Sequence, residues 1–333
     1  MRSLKNWVSS ECSLGARFGV CLVVNEPFHE KHFNPGILTG GGIFMHQPVI
    51  LTEVIENLKP EPNDFLIDGT VGLGGHAQAL LARVLPGGRL LGIDRDAKNL
   101  ETARERLSGF GDAVVLVRDS YSHAKTHAAH HGFDRVNGIL LDLGFSSVHV
   151  DDPSRGFSFV NDGPLDMRFD QSQMLTAEVI VNEWSAEDLA RVFRLYGEEP
   201  KAAQAAEAIV ECRKVARIET TASLVECLSK ALRRQGRTHG ATRVFQALRI
   251  TVNDELGELE RALPDFVDLL VPSGRIAIIS FHSLEDRLVK RFLKSRADLS
   301  LVNKHVITPS QEEVRKNPRA RSAKLRVAEK TRL

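Results

Sequence analysis

The chain has 333 residues, 42% of them hydrophobic and 26% charged, with a formal net charge of +1. A chain of this size and content folds as one large or two modest domains, and no apolar run approaches the ~20 residues a membrane-spanning helix needs. Its four cysteines (Cys12, Cys21, Cys212, Cys227) form no C-x-x-C pair and lack a histidine cluster at zinc spacing. Structural zinc and disulfides are therefore not expected, no metal site is legible, and a reducing, cytoplasmic setting fits.

The net charge conceals an asymmetry. Between Arg287 and Leu333 lie 14 of the 44 Lys/Arg and 4 of the 43 Asp/Glu, a net of +10 against −9 for the rest. A basic tail on an acidic body suits a polyanion-binding face, and it equally suits a solvated surface that keeps the protein soluble.

Residues 1–45 carry loop signals at Asn34-Pro35-Gly36 and Thr39-Gly-Gly-Gly42 and read as a poorly ordered extension. Met45, directly before the first patterned segment, is a candidate translation start. Val49–Leu58 is an amphipathic helix, and Phe65-Leu-Ile-Asp68 a short buried strand followed by the glycine loop Gly69-Thr-Val-Gly72-Leu-Gly74-Gly75. A helix beginning at about His76 ends at Pro86-Gly87-Gly88, and Arg89–Asp94 forms a second strand. Helix 96–108, strand 113–117 and strand 136–142 follow, the last ending in Asp142. Apolar runs of this kind suit a parallel sheet covered on both faces.

Residues 151–175, rich in Gly, Pro, Asp and Phe, read as an irregular loop, and 176–235 as helical throughout, with 183–195 and 200–213 the clearest helices. The sheet resumes after helix 242–263 with strand 275–280, helix 284–295 and strands near 299–307 and 323–329. The fold predicted is α/β: a Rossmann-like methyltransferase sheet with an antiparallel edge, residues 46–150 and 241–333, interrupted by a loop-plus-helical insertion at 151–240.

The carboxylates decide between cofactors. A dinucleotide places its pyrophosphate at the helix N-terminus after a glycine loop. Asp68 on the last strand position repels that anion and favours a cation or donor, such as the aminoacyl end of S-adenosyl-L-methionine. Asp94, roughly 20 residues past the loop, sits where an acid binds ribose hydroxyls. The pair Asp68 and Asp94 points to a methyltransferase. Gly72-x-Gly74-x-x-Ala77 also fits the dinucleotide fingerprint, so an NAD-dependent oxidoreductase stays open, as does a strand–turn–helix with glycines used only for packing.

Ligands bind beyond the carboxyl ends of such strands, which gathers the Asp68 loop, Asp94, Asp119-Ser120-Tyr121 and Asp142-Leu-Gly-Phe145 at one mouth. Tyr121 offers a face for an adenine, or is a buried phenol with a satisfied hydroxyl. Asp142 stands where a substrate amine meets the methyl donor, or caps the following turn. Arg155-Gly-Phe157-Ser-Phe159 and Asp166-Met-Arg168-Phe169-Asp170 interleave phosphate-binding and base-stacking side chains; buried phenylalanines anchoring a loop explain them as well. Arg233-Arg234-x-x-Arg237-x-His239 and Arg315-Lys-x-Pro-Arg319-Ala-Arg321 add basic clusters that also read as solvated turns.

Several longer strings resemble one family. They are His46-Gln-Pro-Val49, Asp68 to His76, Gly92 to Asp96, Leu140 to Ser147, Arg155 to Phe159, Asp162 to Arg168, Thr242 to Ile250, Ser280-Phe-His-Ser-Leu-Glu-Asp-Arg287 and Asn317 to Ser322. From about His46 to the C-terminus the chain is similar to the bacterial ribosomal RNA small subunit methyltransferase H family, also called MraW. The resemblance implies transfer of a methyl from S-adenosyl-L-methionine to N4 of a cytosine in the decoding centre of 16S rRNA, in naked rRNA or in the small ribosomal subunit. It implies cofactor contacts at Gly74, Gly75, His76, Asp94, Tyr121, Asp142 and position 149. Where the family has Pro-Gln after the double serine, this chain has Val148-His149, and a histidine replaces only one of the glutamine's hydrogen bonds at a time.

The acceptor amine, its lone pair delocalised into the ring, has to be oriented and relieved of a proton. Asp142 is the expected hydrogen-bond acceptor there, Phe145 the stacking surface, and His282 a reserve. A non-catalytic RNA-binding assembly factor is the third reading. The oligomeric state, a dimer included, stays open.

Overall fold

The computed structural model describes residues 48–232 and 239–332. The extension 1–45 and the arginines of the 233–237 cluster lie outside them. The chain runs α1 (Leu51–Leu58), β1 (Phe65–Asp68), α2 (Gly75–Val84), β2 (Arg89–Asp94), α3 (Ala97–Leu107), β3 (Val114–Arg118), α4 (Ala124–His131), β4 (Val136–Asp142) and α5 (Ser147–Asp151). The helical region follows with α6 (Ala177–Glu183), α7 (Ala186–Leu195), α8 (Ala202–Val215), α9 (Thr221–Ser229) and α10 (Thr242–Asn253). Then come α11 (Glu255–Leu269), β5 (Leu270–Ser280), α12 (Ser283–Ser295), β6 (Leu299–Leu301), α13 (Gln311–Lys316) and β7 (Lys324–Lys330).

The seven strands lie in the order β3-β2-β1-β4-β5-β7-β6. The first five are parallel, and β7 is antiparallel to both β5 and β6. Strand periodicity of two sends alternate side chains to opposite faces. Leu66, Leu90 and Leu140 pack with Val54, Leu80, Leu81 and Leu100 of α1, α2 and α3. Their neighbours Ile67, Leu91, Ile139 and Leu141 pack with Ala124, Leu263, Phe266 and Val289 of α4, α11 and α12. Both faces are covered, which is why these strands read as unbroken apolar runs.

A third core is purely helical. Leu165, Ile180, Phe193, Ala206, Ile209 and Leu224 assemble it, and it continues past residue 240 into α10 through Val244, Phe245, Leu248 and Val252. The predicted single helix 242–263 is corrected to two. Asp254 adopts a left-handed φ of 48° that closes α10 and opens α11, a conformation aspartate tolerates better than most residues. The break directs α10 to the helical core and α11 to the sheet.

The predicted absence of disulfides is also corrected. Cys212 of α8 and Cys227 of α9 are joined, their Cα atoms 5.9 Å apart. Their spacing fits no motif because the pairing depends on how two helices pack. Among the described residues no helix is long and apolar enough to cross a membrane.

Candidate active site

Strand order reverses between β1 and β4, which lie side by side while β2 pairs on the far edge of β1. Such a switch point opens a crevice at the carboxyl ends of the strands. A cavity of about 170 Å³ lies there, lined by Gly69, Thr70, Gly72, Gly75, His76, Asp94, Asp119, Tyr121, Asp142, Phe145 and His149.

The glycine loop is built by hydrogen bonds to the strand-end acids. Thr70 N–H donates to Asp68 Oδ1 at 3.1 Å, and Asp142 N–H donates to Thr70 Oγ1 at 2.6 Å, tying the loop to β4. Gly72, with φ 51°, donates its N–H to Asp94 Oδ2 at 2.9 Å. Gly74 (φ 79°) is the left-handed residue before α2, and a Cβ there would stand 3.3 Å from Ala103 Cα. Gly74 does not line the cavity, so its role in this geometry is conformational.

Two acids are left incomplete. Asp68 is 1% exposed, and its Oδ2 has no hydrogen-bond partner. Burial, with the charge of Asp94 adding to it, pushes its carboxyl up to about 7 despite the Thr70 bonds. Asp142 Oδ1 is likewise buried without a partner, while Oδ2 lies 3.6 Å from His76 Nδ1. Burial, then Asp68 and Glu285, pushes Asp142 up to about 8; its side chain is 25% open to the cleft, and solvent there moderates the rise. His76 Nε2 stands 3.0 Å from the Val49 carbonyl.

Asp94 is more fully engaged, accepting from Asp96 N–H at 2.7 Å and from Asn99 Nδ2 at 3.3 Å besides Gly72, with burial raising its pKa. Tyr121 lines the cleft with its hydroxyl 3.5 Å from the Glu255 carbonyl, and burial raises the phenol's pKa. Beside it, Glu258 pairs with Arg95 at 2.7 Å and accepts from Ser120. Burial works against the Glu258 carboxylate, but the bonds from Ser120, Ser122 and Arg95 outweigh it and hold the group at about 2.

His149 is buried (3% exposed) and has no nitrogen to spare. Nε2 lies 2.7 Å from Asp96 Oδ2, and Nδ1 accepts from Ser146 N–H at 3.1 Å. Its ring packs against both Phe157 and Phe169, at 4.9 and 5.3 Å, which stack on each other at 5.4 Å. Asp96 also accepts from Arg155 Nη1 at 2.7 Å, and Arg155 Nη2 donates to the carbonyls of Arg168 and Phe169. Burial opposes the Asp96 charge, but the bonds from His149 and Arg155 more than offset it and hold the carboxyl well below the usual range. Arg155, read as a phosphate ligand, is thus a fully buried strut. Phe145 at the mouth is 41% exposed, stacked on Phe157 at 6.0 Å with the Arg249 guanidinium 4.6 Å from its ring centre. His282 does not line the cavity; its Nδ1 accepts from Glu285 N–H at 3.3 Å and caps α12.

Asn99, Asn253, Glu255, Glu258 and Glu285 also line the cleft, and sequence reasoning singled out none of them for it. They sit on helices without a glycine or strand-end signature, although Glu285 lies inside the quoted Ser280–Arg287 string.

A parallel sheet in this order, with an antiparallel seventh strand and acids tipping β1, β2 and β4 around a glycine loop, has the Rossmann-like fold of S-adenosylmethionine-dependent methyltransferases. The chain belongs to the MraW methylase family, whose model matches residues 43–331. It is 48% identical over 292 residues to the ribosomal RNA small subunit methyltransferase H of Elusimicrobium minutum, covering 86% of this chain and 98% of that one. The same enzyme of Heliobacterium modesticaldum is 44% identical over 312 residues (87% and 100% covered), and that of Symbiobacterium thermophilum 46% over 309 (86% and 97%).

Proposed function

We propose that this protein transfers a methyl group from S-adenosyl-L-methionine to N4 of a cytosine in the decoding centre of 16S rRNA, in the cytoplasm. The observation that carries the reading is the buried carboxylate oxygen without a partner on Asp142, Oδ1, which lines the cleft at the end of β4; Asp68 Oδ2, at the end of the adjacent strand, is unpartnered too, though Asp68 is not among the lining residues. A buried acceptor left unpaired is unfavourable unless a ligand completes it. Asp68, directly before the lining residues Gly69 and Thr70, would favour the ammonium of the cofactor's aminoacyl end there and disfavour the pyrophosphate of a dinucleotide. Gly69, Gly72 and Gly75 line the wall, and Asp94 would hold the cofactor's ribose and Tyr121 its adenine. When bound, the cofactor supplies an electrophilic methyl on a sulfonium.

Asp142, one strand away, accepts a hydrogen bond from the acceptor amine, aligns it toward the methyl and takes up its proton. A carboxyl raised toward neutrality is matched to that task. Phe145, aromatic and partly exposed at the mouth, offers its free surface to an unstacked base. The relatives' name for their substrate, small-subunit ribosomal RNA, agrees with an acceptor of this kind.

The test is transfer of labelled methyl to small ribosomal subunits, free 16S rRNA and DNA, with Asp142→Ala as control. Incorporation at one cytosine N4 of rRNA, abolished in the variant, is expected. No incorporation into any of the three overturns the reading, and incorporation into DNA alone redirects it.

A further inference from the structure

The ion pairs joining residues 151–240 to the rest of the molecule have a consistent polarity. Among the described residues four are exposed, and in all four the cation belongs to the sheet portion and the acid to the insertion. Lys98 meets Asp152 at 3.3 Å, Arg118 meets Asp170 at 2.8 Å, Arg287 meets Glu198 at 2.9 Å, and Arg319 meets Asp151. Each of the four cations is between 44% and 58% exposed. The one pair of opposite polarity among the described residues, Arg155 with Asp96, is buried.

We propose that Lys98, Arg118, Arg287 and Arg319 form the surface that receives the RNA phosphate backbone, and that the insertion's carboxylates occupy it until RNA displaces them. The inference rests on the reading that RNA is the substrate. Arg319 itself lines the cleft, and Asp170 adjoins the cleft residue Phe169, so the Arg319–Asp151 and Arg118–Asp170 pairs border the mouth an acceptor must enter. Besides Arg319 and Arg95, the latter paired with Glu258, that mouth is lined by the acids Asp94, Asp119, Asp142, Glu255, Glu258 and Glu285, so a polyanion needs cations at the rim.

Exposed pairs of this kind are weak and exchange readily, whereas a phosphate array engages several cations at once and releases counterions. The carboxylates act as intramolecular competitors. They keep the cations from nonspecific polyanions and let the insertion shift when RNA takes their place.

The test uses the full chain and deproteinised 16S rRNA, with binding measured across potassium chloride concentrations. Charge removal on the sheet side (Arg118→Ala with Arg287→Ala) is expected to weaken binding and lower the salt slope by about 1 per residue removed. Neutralising the insertion side (Asp170→Asn with Glu198→Gln) is expected to tighten binding roughly three- to tenfold, because the weak carboxylate competitors at two of the four cations are gone. Affinity for S-adenosyl-L-methionine is expected unchanged in both. Unchanged or weaker RNA binding after acid neutralisation overturns the proposal, as does an unaltered salt slope after arginine removal. Methyl transfer to rRNA without these effects leaves the functional reading standing and this one refuted; the effects without methyl transfer do the reverse.

Discussion

Two buried acids, twenty-eight positions apart, behave in opposite ways. Asp68 at the end of β1 keeps one oxygen without a partner, whereas Asp96 before α3 is surrounded by His149, Arg155 and the backbone N–H groups of Lys98 and Asn99. Burial pushes the first carboxyl up and is outweighed at the second. The contrast separates two uses of a buried charge. Asp96 fastens the start of the insertion, through Arg155 and His149, to the sheet, while Asp68 and its neighbour Asp142 each keep an oxygen that no described residue completes.

The comparison can be broken most sharply at Asp142. Asp142→Ala is expected to lower the methyl-transfer rate by about 10²–10⁴-fold, the usual contribution of a positioned proton acceptor, with the thermal unfolding midpoint unchanged or higher. A variant that retains the rate in single-turnover assays removes Asp142 from the chemistry.

Asp96→Ala should do the reverse. It leaves Arg155 buried and unpaired, so unfolding in urea is expected to show a loss of about 3–5 kcal/mol. Since the folded Asp96 carboxyl is depressed, its stabilisation is complete above the unfolded value near 3.8 and is lost only as the pH falls through the lower folded value. A near-neutral effect on stability would show that the knot holds nothing.

A titration separates the two regions without mutation. Asp68 and Asp142 rise from 3.8 to about 7 and about 8. Between pH 4 and those values the folded state binds more protons than the unfolded one, so stability falls as the pH rises. The cofactor-free protein is expected to be less stable at pH 8 than at pH 5.5 by about 1–3 kcal/mol, each group contributing at most about 1.4 kcal/mol per pH unit. Asp142→Asn should reduce that difference. A stability that climbs from pH 5.5 to 8 contradicts the assignment of incomplete acids.

The smallest effect belongs to the rim. Phe145→Ala is expected to weaken use of the RNA acceptor about tenfold, within the ~1–3 kcal/mol of one base–aromatic stack, with cofactor affinity unchanged by calorimetry. Equal losses for both ligands would place the ring in the scaffold.

The sheet was legible because alternate strand residues serve two buried faces and strand-end acids follow unbroken apolar runs. The glycine loop was legible because positive φ at Gly72 and Gly74 requires that residue type. His149 shows where reading stops. Its position just past a matched string, where the family pattern has a glutamine, implied a cofactor contact, yet both ring nitrogens are taken by Asp96 and Ser146, and only folding brings position 96 to position 149. The Asp254 break and the Cys212–Cys227 pairing were illegible for a similar reason, since one turns on a single left-handed dihedral and the other on how α8 meets α9.

The sequence alone determined the α/β rhythm, the place of the glycine loop and the acids at the ends of β1, β2 and β4, because these depend on local periodicity and backbone sterics. The tertiary structure decided which acids are satisfied and which are not, and which exposed cations of the sheet portion meet a carboxylate of the insertion. Burial and pairing are properties of neighbours far apart in the chain, and no local pattern carries them.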